Sequence, residues 1–270
     1  MLKSLVFLLL AALPVAPRSD AAVNVVYAGS LVSPMEGAIS TTFTRQTGVR
    51  YLGEGKGSIA LERLIEGGIR NPDVFISADP KVLDRLLARK LISSYIVFGR
   101  SPMTIGYSPT SSFTPTFQAA AAGRRSLLDV LLQPKLRIGR TDPQLDPKGA
   151  RSIRALNLLA KHENRPQAAA QILGADENPA QVFPEEALLV RLESGDIDAA
   201  FLYSTEARAR RIPAITLPGN DGAVYAIAVL TSAKHRDAAQ TFVDFLLRGS
   251  GRQILEQAGI NYLALHTVTR

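Results

Sequence analysis

The sequence contains no cysteine, and only three of its 270 residues are histidine. Without thiols there are no disulfides, no thiolate metal sites, no thiol nucleophile and no N-terminal cysteine to carry a lipid. His162, His235 and His266 lie far apart, and no two have the spacing of a histidine metal motif. Aromatics are scarce, at 6%. A nucleic-acid face needs a dense basic patch with interleaved aromatics. Here Lys and Arg are spread along the chain, with small clusters at Arg124-Arg125 and Arg208-Ala209-Arg210-Arg211. No nucleic-acid partner is expected. Beyond the N-terminal segment, no stretch is apolar enough to cross a bilayer core of about 30 Å.

What is there is a globular composition, 46% apolar and 20% charged. At about 100–200 residues per domain, the length allows one large domain or two ordinary ones. The net charge of +7 helps to collect anions by long-range attraction. Lys3 precedes an apolar run over residues 5–15, and Ser19-Asp20-Ala21 offers small residues for cleavage. This three-part pattern reads as a secretory signal peptide over residues 1–21. Its removal takes away Lys3, Arg18 and Asp20, which lowers the charge from +7 to +6. The expected product is exported and, with no cysteine to lipidate, free in a periplasm.

The remaining chain alternates strand and helix patterns. Residues 23–27 read as a buried strand, 34–45 as a helix, 49–52 as a strand and 53–57 as a flexible glycine loop. Ser58 looks like the cap of a helix over 59–66. A strand over 73–77 and a helix opened by Pro80 follow. Residues 96–98 and 103–107 are strand-like, and 108–115 read as a loop. A second α/β set follows, with helices at 126–132, 147–163 and 184–194 and strands at 136–139 and 199–203. An apolar strand at 224–230 and helices at 237–247 and 251–257 close the chain. No internal repeat is found. This order predicts an α/β protein of two lobes, each a mainly parallel sheet flanked by helices. In such sheets ligands sit at the carboxyl ends of strands, where loops feed helix N-termini.

Four such turns carry polar residues suited to an anion. Ser30 follows the first strand beside Gly29, and Ser58 follows a glycine-rich loop. Asp146-Pro147-Lys148-Gly149 and Phe183-Pro184-Glu185-Glu186 each open a helix. A helix N-terminus offers unpaired N–H groups and a partial positive charge. Several converging ends would bind a tetrahedral oxyanion without any Arg or Lys contact. An exported hydrolase using Ser30 or Ser58 is the rival reading from another class. It lacks a Gly-x-Ser-x-Gly elbow and a nearby histidine base. A third reading keeps the fold and binds a sulfate-like anion, an organic acid or a hard cation on Asp146 and Glu185.

Five segments occur in one order along the chain: Tyr27-Ala28-Gly29-Ser30-Leu31, Gly57-Ser58, Asp73-Val74-Phe75-Ile76-Ser77-Ala78-Asp79, Asp142-Pro143-Gln144-Leu145-Asp146-Pro147-Lys148-Gly149 and Phe201-Leu202-Tyr203-Ser204-Thr205-Glu206-Ala207. This series resembles the periplasmic molybdate/tungstate-binding proteins of ABC importers, nearest to the subtype first recognised in archaea. The resemblance implies a two-lobed type II periplasmic binding protein with its ligand in the interlobe cleft. The lobes would be 22–105 plus 216–270, and 106–215. It implies Ser30, Ser58 and Tyr203 as donors to the oxyanion, and Asp146 and Glu185 as ligands to its molybdenum or tungsten atom. It further implies no catalysis, no cofactor, a monomer, and delivery to a membrane permease. Lys148 and Ala150 depart from the Cys and aromatic residue usual in the subtype.

Overall fold

A computed structural model describes residues 21–219 and 222–269. The expected signal peptide lies outside the described residues except for Ala21. The first unit comprises β1 (Ala22–Ala28), short helical turns that include α1 (Val32–Pro34), α2 (Ser40–Thr47), β2 (Arg50–Lys56), α3 (Ser58–Glu66), β3 (Val74–Ser77) and α4 (Pro80–Ala88). Both β2 and β3 run parallel to β1, so β1 lies between them. Its side chains are buried except at half-buried Asn24, which explains why the residues from Val23 to Ala28 are otherwise all apolar or aromatic.

The helix expected over residues 34–45 is interrupted. Gly37 leaves helical geometry at φ −90° and ψ −107°, inside a wide turn spanning Met35–Ile39. The glycine loop expected over 53–57 is a second correction, because residues 53–56 belong to β2. Their backbones pair with β1, and crowding explains the glycines. A Cβ on Gly55 would come within 2.5 Å of the Val32 side chain.

β4 (Ser94–Tyr107) then passes through both lobes. Ser94 to Pro102 pairs antiparallel with β9 (Gly222–Val229) and with β10 (Asn261–Thr269). Met103 to Tyr107 pairs with β7 (Ala199–Tyr203) and β8 (Ala214–Thr216). The second lobe adds α5 (Thr114–Ala121), α6 (Leu127–Leu131), β5 (Ile138–Thr141), α7 (Pro147–His162), α8 (Gln167–Leu173), β6 (Val182–Phe183), α9 (Glu185–Ser194) and α10 (Ser204–Ala209). β5 runs parallel to both β6 and β7. The first lobe is completed by α11 (Arg236–Leu247) and α12 (Ser250–Gln257). Each lobe thus has a parallel α/β heart; the antiparallel pairs involve β4, which passes between the lobes, and β9 in the first lobe, and they need no βαβ crossover.

Aromatic packing anchors each side. Phe43 of α2 meets Phe242 and Phe245 of α11 edge-on, at 5.1 and 5.3 Å between ring centroids. In the second lobe Tyr107 stacks on Phe117 at 4.9 Å. Burying one such ring is worth about 1.5–3 kcal/mol. Among the described residues, no helix is long and apolar enough to cross a membrane.

Candidate functional site

The strand ends of the two lobes face one another across a seam. Two close approaches set its width, and glycine permits both. A Cβ on Gly29 would fall 2.0 Å from Cγ of Glu185, and one on Gly57 would fall 2.7 Å from the Leu145 carbonyl and 3.2 Å from Cβ of Asp146. The Ala60 N–H, a free donor in the first turn of α3, donates to the Leu145 carbonyl across the seam at 3.1 Å.

The five residues singled out in the sequence come together here, and all are buried. Ser30 follows β1, and its hydroxyl lies 3.0 Å from that of Tyr225 on β9. Ser58 begins α3 but does not cap it; the N-cap residue is Gly57. Instead the Ser58 hydroxyl accepts from the Ala78 N–H at 3.1 Å, which leaves its own proton free to donate. Asp146 does cap α7, with Oδ1 accepting from the Lys148 N–H at 2.9 Å. Glu185 is the first residue of α9. Tyr203 ends β7, and its backbone N–H donates to Glu206 Oε2 at 2.7 Å. Its hydroxyl is buried without a hydrogen-bond partner among the described residues.

Sequence reasoning missed the charge partners. Lys148 is fully buried, and its ammonium lies 2.8 Å from Oε2 of Glu185 and 2.8 Å from Oε1 of Glu206. Burial opposes a charged Lys148, but Glu185, Glu206 and Asp146 outweigh it and raise its pKa. Burial drives the Glu185 carboxyl well above the usual range. Lys148 pulls it back, while Asp146 and Glu206 push it up again. Three acidic groups thus share one ammonium. Arg151, three residues beyond Lys148 on the same helix face, reaches across to Asp79 at 3.0 Å. Burial raises the Tyr203 pKa strongly, and Arg151 is the neighbouring charge that most opposes this. The signals available were the i, i+3 spacing of Lys148 and Arg151 and a tyrosine, Tyr225, inside an apolar strand, where its hydroxyl must find a partner.

Two cavities flank Glu185. One of about 290 Å³ is bounded by Tyr27, Ser30, Glu36 and Glu206, and the other, also about 290 Å³, by Gly57, Thr141, Asp146 and Phe183. Thr141, in the wall of the second cavity, and Arg151 each carry a buried polar atom, Oγ1 and Nε, without a partner among the described residues. The arrangement can offer hydroxyl, guanidinium and helix-end donors to oxygen atoms, and it carries carboxylates within the same space.

Two α/β lobes joined by shared strands, with buried polar groups at the seam, define a solute-binding protein of the periplasmic type. The chain belongs to the bacterial extracellular solute-binding protein family, whose model matches residues 23–261. Such proteins bind and carry solutes outside the cytoplasm and are not enzymes. A Haloferax volcanii protein named for molybdenum binding in an ABC transporter is 36% identical over 197 residues, 73% of this chain. The match spans 59% of that relative's own length. A molybdate/tungstate-binding protein of Thermococcus kodakarensis is 23% identical over 291 residues, 88% of this chain and 81% of the relative. Among solved structures, the Azotobacter vinelandii periplasmic molybdate-binding protein superposes with a TM-score of 0.70 at 20% identity, covering 91% of this chain and 99% of its own. The sulfate-binding protein SubI of Mycobacterium tuberculosis gives 0.68 at 17% identity, over 90% and 88%. These structural likenesses establish the fold alone.

Proposed function

We propose that this chain captures molybdate or tungstate in the interlobe seam and delivers it to the membrane permease of an ABC importer. The observation that carries the reading is the meeting of Ser30, Ser58, Asp146, Glu185 and Tyr203, drawn from both lobes, at one buried place. The names of the sequence relatives support the ligand class. The fold does not choose between molybdate and sulfate, so the choice rests on side chains.

The carboxylates make that choice. At about 4 Å and an effective dielectric of about 20, one like-charge pair costs roughly 4 kcal/mol. A helix N-terminus returns only about 0.3–2 kcal/mol. Lys148 offsets part of this repulsion, and the surplus of acid remains. Carboxylates beside a dianion are tolerable when their oxygens bond to its central atom. Molybdenum and tungsten can enlarge their coordination shell in this way, and the sulfur of sulfate cannot. Asp146 and Glu185 would then be ligands to the metal of the cargo and a barrier to sulfate. Ser30, Ser58 and Tyr203 would donate to its oxygens.

On this reading lobes 22–105 plus 216–270, and 106–215, close about the strands between them in a hinge motion. The protein works as a monomer, free in the periplasm, once its signal peptide is removed. Calorimetry tests the proposal directly. Tungstate and molybdate should bind tightly and sulfate weakly; equal affinity for sulfate rejects the assignment. Glu185→Ala should weaken tungstate binding and admit more sulfate, and no change in either would reduce Glu185 to a helix-start residue.

A further inference from the structure

Arg151 makes one contact that joins the lobes and keeps one donor in reserve. Its Nη2 lies 3.0 Å from Oδ2 of Asp79. Asp79 belongs to the first lobe, where its Oδ1 caps α4 by accepting from the Lys81 N–H at 3.0 Å. Arg151 belongs to α7 of the second lobe. The residue is 7% exposed, yet its Nε–H has no partner among the described residues. An unpaired guanidinium donor in the interior is costly, more so than a neutral one. The charge of Arg151 acts on Tyr203, whose hydroxyl is likewise buried and has no partner among the described residues. An oxygen of a molecule from outside the chain would satisfy such donors, since the Asp146 and Glu206 carboxylates already accept from the Lys148 N–H and the Lys148 ammonium, and Glu185 is ion-paired with that ammonium.

We infer that Arg151 donates through Nε to an oxygen of the captured oxyanion while its Nη2 holds Asp79, so that one guanidinium ties the ligand to lobe closure. The inference rests on the oxyanion-capture reading and adds a residue to it. It replaces the sequence expectation of an anion held without any arginine or lysine. It also supplies charge where charge is short, because Lys148 alone faces three acidic groups. The planar fork suits the double task. Nε and Nη2 lie on the same edge of the guanidinium and hold two acceptors in a fixed relation, which an ammonium cannot do. In an open form the Asp79 contact would be broken, and Arg151 would present its whole charge to an arriving anion. Closure then places the acid of the first lobe and the oxygen of the ligand on adjacent donors.

The test uses the full-length protein purified in its exported form, titrated with sodium tungstate, molybdate, sulfate and phosphate. Arg151→Met removes the donor and keeps an apolar stem. It should raise the tungstate dissociation constant by about 30-fold or more, the worth of one hydrogen bond to a charged group. Arg151→Lys keeps the charge without the fork, and should recover only part of the loss. It also serves as the readout if Arg151→Met fails to fold. Asp79→Asn keeps the cap on α4 but weakens the tie. It should cost less, about 3–10-fold, expressed as faster ligand release. Small-angle scattering of Asp79→Asn with saturating tungstate should show a less compact particle than wild type. Tungstate affinities of both Arg151 variants within twofold of wild type would overturn the inference. If wild type takes sulfate or phosphate but not tungstate, and Arg151→Met loses that binding, the inference stands and the molybdate/tungstate assignment falls. If wild type takes none of the four anions, both fall.

Discussion

The two sides of the seam use different chemistry. The first lobe brings neutral hydroxyls, Ser30 with Tyr225 and Ser58 with the Ala78 N–H, each seated where a strand gives way to a helical turn. Its one carboxylate at the closure contact, Asp79, faces Arg151. The second lobe brings the charges: Asp146, Lys148, Arg151, Glu185 and Glu206, on the first turns of α7, α9 and α10 or just before them. A neutral half loses little when it is desolvated. A charged half is costly to bury, and Lys148, shared between Glu185 and Glu206, offsets part of that cost. On the proposed reading the first lobe is the neutral cradle and the second the source of charge selectivity.

That comparison can be broken at its strongest point. Lys148→Met should destabilise the protein by about 3–5 kcal/mol at neutral pH, because Glu185 and Glu206 lose their buried counter-charge. Urea unfolding measures this, and adding Glu206→Gln to the variant should restore part of the loss. A midpoint unchanged by Lys148→Met would show that the acids are protonated and need no partner.

A smaller effect sharpens the contrast by its sign in pH. Asp73, at the start of β3, is buried, which would raise its pKa. The N–H groups of Asn24 and His235 and their side chains outweigh burial and hold it below the usual carboxylate range. Its folded pKa is depressed, so its stabilisation is present above the unfolded value of about 3.9 and is lost as pH falls through the folded value. Asp73→Asn should cost about 2–3 kcal/mol at pH 7, with the gap to wild type closing in acid. Glu185 has the opposite slope. Its raised pKa favours the fold below the unfolded value of about 4.3, an advantage lost as pH rises through the folded value. Stability curves of the two Asp or Glu to amide variants against pH should diverge in opposite directions.

The least effect belongs to the neutral cradle. Ser58→Ala removes the acceptor of the buried Ala78 N–H and should cost about 1–2 kcal/mol, read as a shift in the urea midpoint. The same variant should weaken tungstate binding, since the hydroxyl proton is free to donate. A stability loss as large as that of Lys148→Met would erase the distinction between the halves.

Much of the first lobe can be read from its residues. All residues from Val23 to Ala28 but Asn24 are apolar or aromatic because β1 is covered on both faces, and Asp79-Pro80 and Asp146-Pro147 mark the starts of α4 and α7 as caps followed by a first-turn proline. The residues over 53–56 were misread because their strand geometry comes from pairing with β1 and not from their own preferences. Ser58 was misread as a cap for a related reason. A serine at a helix start satisfies the local pattern, while the Ala78 N–H that occupies it lies twenty residues away in sequence.

By itself the sequence determined the α/β alternation, the helix starts and the set of polar turns, because propensity, capping and apolar periodicity act over a few neighbouring residues. Its polar turns marked Ser30, Ser58, Asp146 and Glu185, and the family resemblance added Tyr203. Only the tertiary structure decided that Lys148 would be shared by Glu185 and Glu206, and that Arg151 would reach Asp79 in the other lobe. Those partners are separated by tens of residues, and the energy of a buried charge depends on what surrounds it in space, which no local pattern encodes.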